Sequence, residues 1–475
     1  MWRLPALALA ASSIITGSDA INLQKRTDAA PLKVAQFDIQ RRHVENPLQR
    51  DRLRKRANTV QQTLDNEETL YFANVTMGTP EQSLRLHIDT GSSDLWVNVA
   101  NSELCTSSGS PCAVAGTYAP NSSTTYEYVN SLFNISYVDG SGSVGDYATD
   151  TLHIGGVEIP AQQFGVGYQS SSQEGIIGIG YPTNEAIVQY GIGDIYPNVP
   201  QHMMQLGLIN TNAYSLWLND LDASTGSILF GGVNTEKYHG TLETLPIIRE
   251  DGVYAELVIA LTGVGLNGNN GSIANNLRTG ALLDSGSSLM YLPDNVAQSI
   301  FSELGAQYDE SQGAAFVDCG LADNDTTIDF TFSSPTISVP MNELVIVAGY
   351  QGRNPICILG IGLAGESTPV LGDTFIRSAY IVYDLTNNEI SLAQTNFNST
   401  GNNILEITNG TSTSNGVPDA TGVASAVTSV AVNSGGARNG GQPTVSSTAG
   451  APAQTKALGY GAAMAAAGAG LMFAL

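Results

Sequence analysis

An eight-residue pattern that occurs twice limits what this chain can fold into more than any other feature. Leu86-His87-Ile88-Asp89-Thr90-Gly91-Ser92-Ser93 recurs as Ala281-Leu282-Leu283-Asp284-Ser285-Gly286-Ser287-Ser288. Each copy runs an apolar stretch into an Asp, a hydroxyl residue, a Gly and two serines. Each is followed by two apolar residues and a Gly, Ile176-Ile177-Gly178 and Val370-Leu371-Gly372, at 89 residues from Asp89 (178−89) and 88 from Asp284 (372−284). Matched spacing implies a duplicated unit, and two such units related by a pseudo-twofold axis bring equivalent positions together at their interface. The residues so juxtaposed are Asp89 and Asp284. One Asp-Thr/Ser-Gly alone reads as an Asx turn after a strand; a second copy at the equivalent place favours a paired carboxylate site. The Gly lets the backbone pass close to the carboxylate, and the hydroxyls can donate to it.

Between Thr59 and Ala393 the chain alternates short apolar runs with Gly, Asn, Asp and Ser, and Leu84-Arg85-Leu86-His87-Ile88 alternates as a strand does. Short helices are expected at Gln298 to Leu304 and His202 to Leu206. The fold class is therefore all-β. A body of about 340 residues is too large for one sandwich and natural for two duplicated β-rich lobes, placed at 57–233 and 234–397.

Charge narrows the function. The 475 residues hold 19 Lys+Arg against 43 Asp+Glu, a net of −24. Residues 1–56 carry 11 basic and 5 acidic side chains, whereas residues 57–397 carry 6 and 36. Such a polyanion repels phosphate, which argues against nucleic acid as a partner. The basic leader reads as a pro-segment that neutralises the acidic body until removed. Self-repulsion of the body then predicts best activity in acid.

Both ends read as processing signals. Residues 1–20 have Arg3, the apolar Leu4 to Ala11 and a small-x-small site at Ser18-Asp19-Ala20, the pattern of a signal peptide. Residues 21–56 form the basic pro-segment, ending at Lys55-Arg56, where kexin-type proteases cut. Residues 398–456 are rich in Ser, Thr, Asn and Gly and read as a flexible stalk. The apolar stretch 457–475 completes a glycosylphosphatidylinositol (GPI) signal, with Ser446, Ser447 and Asn439 as attachment candidates. A transmembrane tail is the rival reading, but no basic residues follow it. Glycosylation sequons stand at Asn74, Asn121, Asn134, Asn270, Asn324, Asn398 and Asn409. Cys105 with Cys112 and Cys319 with Cys357 are close pairs that an oxidising compartment would join. The expected route is the secretory pathway to the cell surface, with attachment to the plasma membrane through a GPI lipid, transfer to the wall, or release.

Here the chain resembles the pepsin-like aspartic proteases, from about Tyr71 to Ala393. The resemblance rests on Asp89-Thr90-Gly91-Ser92-Ser93-Asp94-Leu95-Trp96, on Asp284-Ser285-Gly286-Ser287-Ser288, and on Val370-Leu371-Gly372-Asp373-Thr374-Phe375-Ile376-Arg377 followed by Tyr380-Ile381-Val382-Tyr383-Asp384. With its leader, stalk and tail the chain is most similar to the fungal GPI-anchored yapsin-type subgroup. The resemblance implies a bilobal pepsin-like fold with the active-site cleft between the lobes, and a zymogen of an acid endopeptidase acting on protein or peptide substrates. It also implies Asp89 and Asp284 as catalytic residues, supported by Thr90, Gly91, Ser92, Ser285, Gly286 and Ser287. Asn134 to Ser143 resembles the flap, with Tyr137, Asp139, Gly140 and Ser141 facing substrate and Trp96 bonded to Tyr137. Val138 stands where the family usually has Gly. Asp139 either pairs with a basic substrate side chain or favours the turn itself. A leader Lys, Lys33, is expected to reach the pair of aspartates. No cofactor and no metal are expected: the five histidines lack ligand spacing, and no Gly-x-Ser-x-Gly elbow occurs. A monomer is expected. The alternative is a catalytically inactive, protease-like cell-surface or wall binding protein.

Overall fold

In the computed structural model, which describes residues 32–42, 70–137, 140–223, 225–410 and 416–430, each copy of the repeat is an apolar strand that ends at or next to its Asp. The first half supplies β1 (Ala35–Arg42), β2 (Leu70–Met77), β3 (Gln82–Asp89), β4 (Leu95–Asn98), β5 (Glu127–Ser136), β6 (Gly142–Ile154), β7 (Val157–Ser170), β8 (Ile176–Gly178), β9 (Ala213–Trp217) and β10 (Thr225–Phe230). β3 lies antiparallel to β2 and parallel to β8, with Asp89 beside Gly178. β4 then pairs antiparallel with β8, Leu95 beside Ile177.

The second half repeats this arrangement. Thr279–Leu283 runs parallel to Val370–Leu371, Leu283 beside Leu371, and Met290–Leu292 lies antiparallel to that segment with Tyr291 beside Val370. The two downstream glycines have one physical reason. A Cβ on Gly178 would stand 2.5 Å from the Ser93 amide nitrogen, and one on Gly372 would stand 2.3 Å from the Ser287 carbonyl oxygen. The backbone there presses on the turn that follows each Asp, so no side chain fits.

The halves share a sheet. β9 pairs with β10 on one side and with Ala379–Asp384 on the other, and Glu389–Thr395 and Tyr238–Pro246 continue it. Tyr214 and Tyr383 stack across the join with ring centroids 5.0 Å apart. β1 belongs to this sheet as well, antiparallel to both β10 and β2. Its apolar residues Ala35, Phe37 and Ile39 are buried, while Asp38 and Gln40 between and beside them are exposed. Part of the expected leader is thus a strand of the body.

The change of composition at Asn398 does not end the fold, so the stalk boundary was placed too early. Ile404–Glu406 pairs with Gly232–Asn234, Ala420–Gly422 pairs with Tyr238–Pro246, and Ile407 and Val417 are buried. A few apolar residues among Ser, Thr and Asn are enough to hold the segment down.

The two helices exist but begin earlier than expected, at Asp294–Leu304 and Val199–Gln205. Asn198 caps the latter with Pro200 in its first turn, a start that hydrophobic spacing alone misses. Both cysteine pairs are disulfides, Cys105–Cys112 and Cys319–Cys357, with Cα atoms 5.1 and 5.2 Å apart. All seven sequon asparagines are exposed. The signal peptide, Lys55 and Arg56, Val138 and Asp139, the attachment candidates Ser446, Ser447 and Asn439, and the tail 457–475 lie outside the described residues. Among the described residues no helix is long and apolar enough to cross a membrane.

Candidate active site

The two repeated turns meet. Within each, the carboxylate is held by its own loop: the Gly91 N–H donates to Asp89 Oδ1 at 2.8 Å and the Ser92 hydroxyl to Oδ2 at 2.5 Å. The Gly286 N–H donates to Asp284 Oδ1 at 2.8 Å and the Ser287 hydroxyl to Oδ2 at 2.7 Å. Across the interface the hydroxyl residues interlock. Thr90 Oγ1 donates to the Leu283 carbonyl at 2.9 Å and accepts from the Ser285 N–H at 2.9 Å. Ser285 Oγ donates to the Ile88 carbonyl at 3.0 Å and accepts from the Thr90 N–H at 3.2 Å. Four buried hydrogen bonds therefore fix the relative position of the two turns, independently of the carboxylates.

The glycines show how close the carboxylates are. A Cβ on Gly91 would lie 2.5 Å from Asp284 Oδ1. A Cβ on Gly286 would lie 2.4 Å from Asp89 Oδ1 and 2.9 Å from Asp284 Oδ1. Both oxygens thus surround one point, and their separation cannot exceed the sum of those two distances. Asp89 and Asp284 are each only 3% exposed. The structure brings all eight repeat residues named from the sequence into one cluster, and each Gly faces the opposite Asp.

The hairpin of β5 and β6 carries Tyr137 over this cluster. The Tyr137 N–H donates to the Ser141 carbonyl at 2.8 Å, and the Gly140 N–H to the Tyr137 carbonyl at 3.0 Å. Gly140 takes a φ of +77°, which favours a residue without a side chain. Trp96 Nε1 donates to the Tyr137 hydroxyl at 2.7 Å, the contact the resemblance implied. Burial, with the charge of Asp89 next, pushes that hydroxyl well above its usual range, so it remains protonated. Lys33 does not follow expectation. It is exposed, and its backbone N–H donates to Glu406.

Residues 70–395 match the family described as eukaryotic aspartyl protease. A relative in Aspergillus oryzae named "Probable aspartic-type endopeptidase opsB" is 56% identical over 435 residues, covering 90% of this chain and 88% of the relative. The chain belongs to the eukaryotic aspartyl protease family. "Secreted aspartic protease 4" of Candida albicans is 39% identical over 348 residues, 71% of this chain and 79% of that one. The crystal structure of an aspartic proteinase from Irpex lacteus covers 78% of this chain and all of its own with a TM-score of 0.59; at 21% identity that likeness speaks to the fold.

Around the aspartyl protease centre lie polar residues to which the sequence assigned no role. Asp94, buried at the start of β4, accepts from the Tyr147 and Tyr196 hydroxyls and from the Ala186 N–H, each at 2.8 Å. Glu185 is fully buried next to it and accepts from the Tyr196 N–H at 3.0 Å through Oε2, while Oε1 has no hydrogen-bond partner. Burial, aided by the charge of Asp94, raises Glu185 to about 10. Arg377, in the C-terminal signature, is buried against Glu343 with Nε 2.5 Å from Oε2. Asp94 and Arg377 stand inside recognised motifs; Glu185 carries no sequence signal at all, because the carboxylate beside it is 91 residues away (185−94).

Proposed function

We propose that this chain is an aspartic endopeptidase that hydrolyses peptide bonds of protein substrates with a water activated between Asp89 and Asp284. The observation that carries the reading is the reciprocal approach of two carboxylates, each oriented by its own loop. Two like charges so close make the doubly ionised state costly, so one proton is shared. Such proton sharing between two carboxylates is the known behaviour of aspartic proteases. The ionised carboxylate takes a proton from water as the oxygen attacks the scissile carbonyl carbon. The protonated partner hydrogen-bonds to the carbonyl oxygen and passes its proton to it as the tetrahedral diol forms. The carboxyl that took the water proton then gives it to the leaving nitrogen as the C–N bond breaks, and the diol returns a proton to the pair as the product carboxyl group forms. The Trp96–Tyr137 bond holds the flap residue over the pair, which shields the reacting groups from bulk water. The test is hydrolysis of a protein substrate at acid pH by the chain freed of its leader. Pepstatin-sensitive cleavage is expected; no cleavage of any protein substrate would leave the binding-protein alternative.

The same proposal covers location and maturation. Exposed sequons, two disulfides, the signal-like residues 1–20 and the stalk and tail support secretion with a GPI lipid at the cell surface. The name of the Candida albicans relative accords with export. The basic leader supports a zymogen cut after Arg56 by a kexin-type protease. Because β1 lies hydrogen-bonded between β10 and β2, cutting that peptide bond does not by itself free residues 35–42. The cut leader is expected to co-elute with the body at neutral pH, and Ile39→Asp, which buries a charge, to release it. Prompt separation of the unaltered leader at neutral pH would count against this account.

A further inference from the structure

The interlock between the two turns is symmetric in Thr90 and Ser285, but one added contact is not. His87 lies two residues before Asp89, where the second copy of the repeat has Leu282. Its ring is 2% exposed, packs against Phe72 with centroids 5.6 Å apart, and reaches across to the other half. There His87 Nε2 is 3.3 Å from the Ser285 carbonyl oxygen. A carbonyl only accepts, so Nε2 carries the hydrogen and donates, whether the ring is neutral or charged.

The acceptor belongs to a particular peptide unit. The carbonyl of Ser285 and the N–H of Gly286 are two ends of one amide, and that N–H donates to Asp284 Oδ1 at 2.8 Å. The imidazole, the amide and the carboxylate therefore form one hydrogen-bonded chain. Donation to an amide oxygen polarises the amide and makes its N–H a better donor, by about 10–30% per bond in condensed-phase estimates. A stronger donor at Oδ1 holds the Asp284 carboxylate more firmly in place. The equivalent residue of the other copy, Leu282, has no donor to offer the turn that holds Asp89. The duplicated site is thus electrically asymmetric.

We propose that His87 is a positioning residue for peptide hydrolysis, acting through the Ser285–Gly286 amide to hold the Asp284 carboxylate in its reactive orientation. The proposal rests on the two-aspartate reading given above. It breaks no bond and requires no change in the charge of His87.

The test uses the mature enzyme at acid pH. His87→Leu installs the residue of the other repeat, and His87→Met is a second apolar variant of different shape. Each is expected to lower kcat about 5- to 20-fold, less than the loss of a donor aimed directly at the reacting atoms, with KM nearly unchanged. His87→Gln, which restores a side-chain N–H, is expected to recover most of kcat. Folded apolar variants with unaltered kcat, or a His87→Gln variant that recovers nothing over them, would overturn the inference. So would failure of both to fold, since His87 would then be a structural residue. An inactive unaltered enzyme would instead overturn the two-aspartate reading, which separates the two claims.

Discussion

Asp89→Asn and Asp284→Asn are each expected to lower kcat/KM at acid pH by about 10³-fold or more, with little loss of folded protein, and Gly286→Ala to lower it by about 10²-fold or more. The Asn variants keep an oxygen to accept from Gly91 or Gly286 and a similar shape, but they cannot share a proton or take one from water. Gly286→Ala reaches the same end by another route. Its Cβ would lie 2.4 Å from Asp89 Oδ1, a distance at which something must move. The turn has little freedom to do so, because Thr90 and Ser285 pin it through bonds of 2.9 to 3.2 Å. The carboxylate of the opposite lobe must then rotate, and a displacement of about 1 Å at reacting groups costs roughly a hundredfold or more. Gly91→Ala should act likewise on Asp284, from 2.5 Å. Gly156→Ala is the control. That residue has a positive φ, +77°, which Gly286 lacks, but its Cβ would meet nothing within 4 Å. It should lose about 1 kcal/mol of stability, the penalty of a side chain in that conformation, and keep its activity. Wild-type kcat/KM in Gly286→Ala, measured beside that control, would mean that the two carboxylates are not gathered as described.

These outcomes depend on features that differ in how far the sequence reveals them. The pairing of Asp89 with Asp284 is legible because a duplication leaves matched spacings along one dimension, and the strand order of each half follows from those spacings. The Gly178 and Gly372 contacts are legible for the same reason. The Trp96–Tyr137 bond came from family resemblance, since nothing local to residues 96 or 137 states it. The incorporation of β1 was hidden by the charge of the leader. Its alternation of Ala35, Phe37 and Ile39 is only three residues long, and the burial it produces depends on β10, almost 200 residues away. His87 was read as one member of an alternating strand. β3 is in fact covered around that position, so alternation stops predicting exposure, and a polar residue is buried because it finds a partner across the interface.

Glu185 is the other residue with a large expected effect, on stability rather than on chemistry. Its carboxyl rises from an ordinary 4.5 to about 10, chiefly because burial penalises the charge and next because Asp94 lies beside it. Asp94 is raised as well, again by burial, but three donors oppose that shift and Glu185 has one. The negative charge of the pair therefore settles on Asp94, and Glu185 keeps its proton. The sign of the pH dependence follows. Below pH 4.5 the folded and unfolded chains both hold this proton, and Glu185 imposes no penalty. Between 4.5 and about 10 the unfolded chain releases it and the folded chain does not, so folding weakens as pH rises. At neutral pH the penalty is about 3 kcal/mol. Glu185→Gln reproduces the uncharged form at every pH: its carbonyl still accepts from the Tyr196 N–H, and its amide group replaces a hydroxyl at the unpartnered Oε1 position. The variant should match the wild type in strong acid and exceed it by about 2–3 kcal/mol near neutrality, a gap read from urea midpoints across that range. Parallel midpoint curves would show that Glu185 is ionised in the fold. The site should benefit too, because the neighbouring Asn184 donates to the Gly91 carbonyl at 3.2 Å, in the turn that holds Asp89. Inactivation of Glu185→Gln at neutral pH should accordingly be slower than that of the wild type, which would trace part of the proposed preference for acid to one buried proton rather than to net charge alone.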